Sequence, residues 1–183
     1  SVSFKKLIKE NKEGKKNYTY TFNHTTEEIE VAEIKSPRRT RKNAELVNVM
    51  LDNGEEIQCT PDHKFMLRDG AYKEAQELKK GESLMAGYTR LSTKEDDKNA
   101  IGYTMIKQPV KGAWDWVHRL ADAWNIQRGV YQKNAGRIRH HKDFNKLNNN
   151  PDNIQRIDWK EHWKLHYELA SWRHKNDSEY VKK

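Results

Sequence analysis

Apolar and polar residues alternate over several short stretches of this chain. Tyr18-Thr19-Tyr20-Thr21-Phe22 and Glu30-Val31-Ala32-Glu33-Ile34 each send every second side chain to one side, which predicts two β-strands. From Glu45 to Thr60 the chain reads ELVNVMLDNGEEIQCT. Leu46, Val47, Val49 and Leu51 precede the turn signal Asp52-Asn53-Gly54, Ile57 and Cys59 follow it, and the whole predicts a hairpin. Arg68-Asp69-Gly70 supplies a second turn after Phe65-Met66-Leu67. Tyr72, Ala75 and Leu78 are then spaced for a short helix that stops at Gly81.

The same signals recur later in a different order. Ile138 and its flanking arginines predict a strand that leads into His140-His141, and Lys142 to Asn153, rich in Asn and containing Pro151, is a loop. Ile154 to Ile157 predicts the returning strand. A helix follows, with Asp158 as N-cap, Glu161 three residues later as in a capping box, and Leu165, Leu169 and Trp172 at helical spacing. Strands, turns and helices in this mixture define an α+β class.

Composition narrows the function. The chain has 183 residues, 34% charged, and contains no apolar run near the ~18 residues needed to span a membrane. SVSFKKLIKENKEGKK at the N-terminus lacks the apolar segment of a secretory signal. Cys59 is the single cysteine, which excludes a disulfide framework or a multi-cysteine metal site and makes a reducing, cytoplasmic compartment the expectation. The formal charge of +8 points to a polyanionic partner. Residues 1–95 hold 18 Lys+Arg against 16 Asp+Glu, whereas residues 96–183 hold 17 against 11, with all six tryptophans and six of the eight histidines. That shift predicts two modules, 1–95 and 96–183, joined near Ser92 to Asn99. Lys35 to Lys42, KSPRRTRK, contains Pro37 and is read as a loop. Its Arg38, Arg39 and Arg41 are candidate DNA phosphate contacts or an ordinary solvated tip, and Arg137 and Arg139 are further candidate DNA contacts.

In the first module a more specific pattern emerges. The order of strand, DNG turn, Cys59-Thr60-Pro61-Asp62-His63-Lys64-Phe65, acidic-glycine turn, AYKEAQEL and KGESL resembles the second conserved block of the intein, or Hint, fold. The resemblance implies that Thr60 and His63 are the splicing-block residues, which help the first peptide bond of an intein undergo its acyl shift. A hydroxyl and an imidazole suit the orienting and proton transfer involved. Ser1-Val2-Ser3-Phe4 and the closing Glu179-Tyr180-Val181-Lys182-Lys183 differ from the family's terminal motifs, so the expectation is a partial Hint module. It would be a fragment of a longer intein, one piece of a split intein, or a remnant kept as scaffold or DNA-binding surface.

In the second module the strand, loop, strand, helix order, with His140-His141, Asn153 and His162, resembles the HNH, or ββα-metal, endonucleases lodged in inteins and mobile introns. Trp116-Val117-His118-Arg119-Leu120 resembles the segment that precedes their motif. The resemblance implies that His141 is the general base, that Asn153 pins the loop and orients that base, and that His140 and His162 hold a divalent metal. Mg²⁺ is the expected ion, with Mn²⁺ able to replace it. Asp143 and Asn145 are weaker candidates, as loop-stabilising or metal-shell groups. His162 and His166, one helical turn apart, also suit a structural zinc; His166 is otherwise left to the scissile phosphate, to water or to solvent. His118 and His174 are read as structural or surface residues, and Trp114, Trp116 and Trp124 as core.

The function implied is a homing-type endonuclease that hydrolyses double-stranded DNA, nicking one strand per active site. The alternatives are a fragment that takes part in protein splicing with complementary intein fragments while the HNH segment is a passenger, and a DNA-binding protein without catalysis.

Overall fold

The computed structural model describes residues 2–177. Helix α1 (Phe4–Lys12) starts where the Ser3 hydroxyl accepts the Lys6 N–H at 3.3 Å, and it buries Leu7. β1 (Tyr18–Asn23) and β2 (Glu28–Glu33) pair antiparallel, with Tyr20 opposite Val31. Asn23 shapes their turn by accepting the Thr25 and Thr26 N–H groups on its side-chain oxygen. β3 (Val47–Met50) and β4 (Glu56–Cys59) form the hairpin that the Asp-Asn-Gly signal predicts. β5 (Lys64–Met66) and β6 (Tyr72–Glu74) form the next.

Where the spacing of Tyr72, Ala75 and Leu78 predicts a helix, the structure has β6 followed by one 3₁₀ turn, Ala75–Glu77. Tyr72 and Lys73 are taken by pairing with Met66 and Phe65, so too few residues remain to nucleate an α-helix. Glu74 and Glu77 close a capping box around the short turn.

The second half opens on a three-stranded sheet, β7 (Thr89–Leu91), β8 (Thr104–Lys107) and β9 (Trp114–Trp116), ordered β7-β8-β9. The polar stretch Ser92 to Asn99 belongs to the β7–β8 connection. The Ser92 hydroxyl donates to Ala100 O at 2.5 Å and accepts the Tyr103 N–H at 2.9 Å, while Arg90 makes a two-pronged ion pair with Asp96. The position between residues 95 and 96 therefore falls inside a sheet connection. Helix α2 (Val117–Gln127) follows, then β10 (Ile138–His141), β11 (Ile154–Ile157) and helix α3 (Trp159–Asn176).

α2 is the hub of packing. It lies against β2, β8, β9, β10 and β11, and its Val117 meets Ile29 and Ile106 in the core, with Leu120 at the edge. Burying each such aliphatic side chain stabilises the fold by about 1.5–3 kcal/mol. The buried Gln108 continues this junction in polar form. Its Oε1 accepts the Ile29 N–H at 2.7 Å and its Nε2 donates to Ile29 O at 3.2 Å, so a side-chain amide pairs with β2 as a neighbouring strand would. Tyr18 adds a third tie, donating to Asp152 at 2.9 Å with its ring edge-on to Trp124. No helix among the described residues is long and apolar enough to cross a membrane.

Candidate functional site

β10 and β11 pair with His141 opposite Ile154, and α3 returns over β10. The Asp158 carboxylate caps α3 by accepting the Glu161 N–H at 2.8 Å. Because successive residues of a strand face opposite ways, the two buried histidines at the end of β10 serve two different environments.

On one face, His140 meets His162 and His166 of α3. Its ring centroid is 5.5 Å from each, and those two rings lie 4.5 Å apart. One nitrogen from each of the three lies within 4.8 Å of the others, an arrangement able to hold a metal ion. Burial, with His162 and His166 nearby, pushes the His140 pKa down to about 4. Burial followed by His166 also lowers that of His162. Both rings are thus held neutral, the form that donates to a metal. His162 Nδ1 is buried without a hydrogen-bond partner, an unmet polar atom that a ligated ion would explain. Phe144 packs edge-on against His140 and His166 at 4.9 and 5.1 Å, and does so with φ of 57°, a conformation that costs a bulky residue energy and that its surroundings enforce.

On the opposite face, His141 Nε2 lies 3.0 Å from Asn149 Oδ1. The loop that carries Asn149 is tied through Asn153 and Asp143. Asn153 Nδ2 donates to Asp143 Oδ1 and to Asn148 O, both at 2.8 Å, and its Oδ1 accepts the Asp143 N–H. Asp143 also accepts Asn148 Nδ2 at 2.6 Å and the Asn145 N–H at 2.8 Å. Burial pushes the Asp143 pKa upward, but these hydrogen bonds outweigh it and hold the carboxyl below its ordinary value. Tyr103 and His118 wall the other side of His141, with ring centroids at 5.9 and 5.8 Å. Burial, then the neighbouring His141, pushes the His118 pKa down to about 3.

A buried ion cluster fixes both strands to α2. Asp122 accepts from Arg139 Nε at 2.8 Å, from Arg156 Nε and Nη2 at 2.7 and 2.6 Å, and from the Tyr131 hydroxyl at 3.1 Å. Burial alone would raise its pKa, yet the bonds from Arg156 and Arg139 lower it. Asn125 of α2 donates to Pro151 O at 2.8 Å and so holds the end of the loop.

The predicted site residues therefore fall into separate groups. His140, His141, Asn153 and His162 come together, joined by His166, which the sequence left open, and by Asn149 and His118, which it read as turn and structural residues. The signal for His166 was its spacing of four from His162, and that for His118 its place in the segment Trp116 to Leu120; nothing local marked Asn149. Arg139 is turned to Asp122, while Arg137 is exposed. Arg38, Arg39 and Arg41 sit on an exposed irregular segment, with Arg41 clamped on Asp62 through bonds of 3.1 and 2.5 Å. Asp62 belongs to the turn from Thr60 to His63, where the His63 N–H donates to Thr60 O at 3.0 Å. His63 is exposed, with its ring edge-on to Phe65. Among the tryptophans, Trp116 is buried, Trp114 and Trp124 are half-buried, and Trp159, Trp163 and Trp172 are exposed.

Comparison with known proteins agrees with the resemblance to inteins. The B subunit of DNA gyrase from Synechocystis sp. is 47% identical over 167 residues, which is 91% of this chain and 15% of that protein. The chain thus spans about 15% of the length of the curated relative it matches. No solved structure matches it. The family model described as the intein splicing domain matches residues 2–181. The chain belongs to the intein splicing domain family.

Proposed function

We propose that this intein chain carries a metal-dependent endonuclease centre of the HNH type, which hydrolyses phosphodiester bonds of double-stranded DNA, beside the part in protein splicing that its family supports. The observation that carries the nuclease reading is the two-sided end of β10. His140 faces His162 and His166 as a three-nitrogen donor set, while His141 faces away to Asn149.

The donor set fits a divalent ion held by His140, His162 and His166. Three imidazoles favour Mn²⁺, Ni²⁺ or Zn²⁺ over Mg²⁺, whose ligands are ordinarily oxygens. When bound, the ion would supply positive charge against the phosphate and the departing oxygen. His141 takes the proton of the attacking water. The Asn149 amide oxygen can only accept, so His141 Nε2 carries a hydrogen and Nδ1 offers the lone pair. Asn153 keeps the loop in place through Asp143 and Asn148, and so orients the base without touching the reacting atoms.

The similarity to a stretch of a DNA gyrase chain makes the matching gyrase gene, without the intervening segment, the first DNA target to try. The test is cleavage of plasmid carrying that sequence, with Mn²⁺ or Mg²⁺ added and again with EDTA. Cleavage that requires the ion supports the reading; its absence with every ion contradicts it.

A second reading, a splicing participant whose nuclease segment is inactive, is favoured by the family match over nearly the whole chain and by the Thr60-Pro61-Asp62-His63 turn. Incubation with complementary intein fragments isolates it, since ligated flanking peptides would form with or without EDTA.

A further inference from the structure

The outer surface of α3 is not accounted for by the metal cluster. An α-helix advances about 100° per residue, so its side chains fall into ordered strips. His162 and His166 face β10. Trp159, Trp163 and Tyr167, each four residues from the next, form the adjoining strip. Lys160, Lys164 and Lys175 come next, and Glu168 and Glu161 directly adjoin them. The three rings are 58%, 60% and 73% exposed, which is unusual for large aromatic side chains set in a row. Trp159 stacks on His162 with centroids 5.6 Å apart and planes 23° from parallel, and Trp163 meets Trp159 edge-on at 5.8 Å. The aromatic strip is therefore continuous with the three-histidine cluster.

We infer that this strip, with the lysines beside it, is the seat of the duplex DNA flanking the bond to be cut. The inference rests on the nuclease reading above and extends it to the DNA-contacting surface. The order of chemistry round the helix supports it. A phosphate that reaches the histidines carries its neighbouring sugars and bases across the rings, and the next phosphates meet the lysines beyond them, Lys160 first. The three rings span about 12 Å along the helix, close to three or four base-pair steps of about 3.4 Å. Aromatic rings gain from sugar and base contact whatever the sequence, whereas the lysines act through phosphate charge. The Lys164–Glu168 pair at 3.9 Å is exposed, with 73% and 57% of the side chains accessible, and such pairs hold a lysine only weakly.

The experiment is binding of a fluorescein-labelled 30-base-pair duplex in EDTA over a range of salt, by anisotropy, with this full chain. The Trp159→Ala/Trp163→Ala double variant should bind about tenfold more weakly, from the loss of ring contact with sugars and base edges, with the same slope of log affinity against log salt. Lys160→Gln/Lys164→Gln should make that slope shallower by up to about 1.8. Unchanged circular dichroism and Mn²⁺ binding would show the fold and the histidine cluster intact. Wild-type affinity in the double tryptophan variant overturns the inference while leaving the endonuclease reading in place. So does a dimer, seen by sedimentation, that this variant breaks without changing DNA affinity. Wild-type chain that neither binds nor cuts DNA overturns the endonuclease reading itself, and the inference with it.

Discussion

His141 Nε2 lies 3.0 Å from Asn149 Oδ1, so a loop asparagine sets which nitrogen of the histidine is free to take a proton. His141→Ala should abolish cleavage while leaving DNA affinity within a few fold. Asn149→Ala should keep binding and lower kcat by about 10- to 100-fold, because the ring loses its orienting partner. Single-turnover rates beside binding isotherms separate these effects. Wild-type cleavage by His141→Ala would remove the base assignment.

The three-histidine set predicts that His140→Ala, His162→Ala and His166→Ala each weaken Mn²⁺ or Zn²⁺ binding by about 100-fold or more. The His140 pKa is depressed to about 4, so near neutrality this ring has no proton for the metal to displace. Its contribution is present above that value and disappears as pH falls through it. The ratio of wild-type to His140→Ala metal affinity, read by calorimetry, should therefore be the same at pH 6 and pH 8.

The alternation of a strand made part of this centre legible. Two consecutive histidines at the end of an extended segment must face opposite sides, and the structure keeps them so. Spacing alone could not say that α3 would lie over His140 and bring His166 beside His162, because that depends on tertiary packing. Asn149 was illegible for a different reason. In a run of three asparagines, turn chemistry accounts for each equally well, and only the fold selects the one that reaches the imidazole. α1 was legible in Phe4, Leu7 and Ile8, which stand at helical spacing behind the Ser3 cap, whereas the Tyr72–Leu78 spacing failed because strand pairing claimed its first turn.

Asp122 carries a prediction about stability. Its carboxylate is 4% exposed and the Arg156 side chain 7%; Asp122→Asn should cost about 3–5 kcal/mol at pH 7, since it leaves buried guanidinium charge uncompensated. The folded-state pKa is depressed, so the stabilisation is complete above the unfolded value, about 3.9, and is lost as pH falls through the folded value. Urea unfolding should show the wild-type advantage narrowing below about pH 4.

Gly136 stands where a side chain has no room. A Cβ there would lie 2.3 Å from Ile157 O and 2.4 Å from its carbonyl carbon, atoms of a backbone that cannot turn aside. Gly136→Ala should destabilise the β10–β11 pair by about 1–3 kcal/mol and lower metal affinity with it. Thermal unfolding and Mn²⁺ titration of the same preparation would check both.

The most direct test is a time course on supercoiled plasmid carrying the uninterrupted target, with Mn²⁺, for wild-type chain and His141→Ala. One catalytic centre engages one scissile phosphate at a time, so the wild type should first produce open-circular DNA, with linear product later, and His141→Ala should produce neither. Intact supercoiled plasmid with the wild type under every divalent ion, or equal nicking by His141→Ala, would contradict a nuclease centred on this histidine.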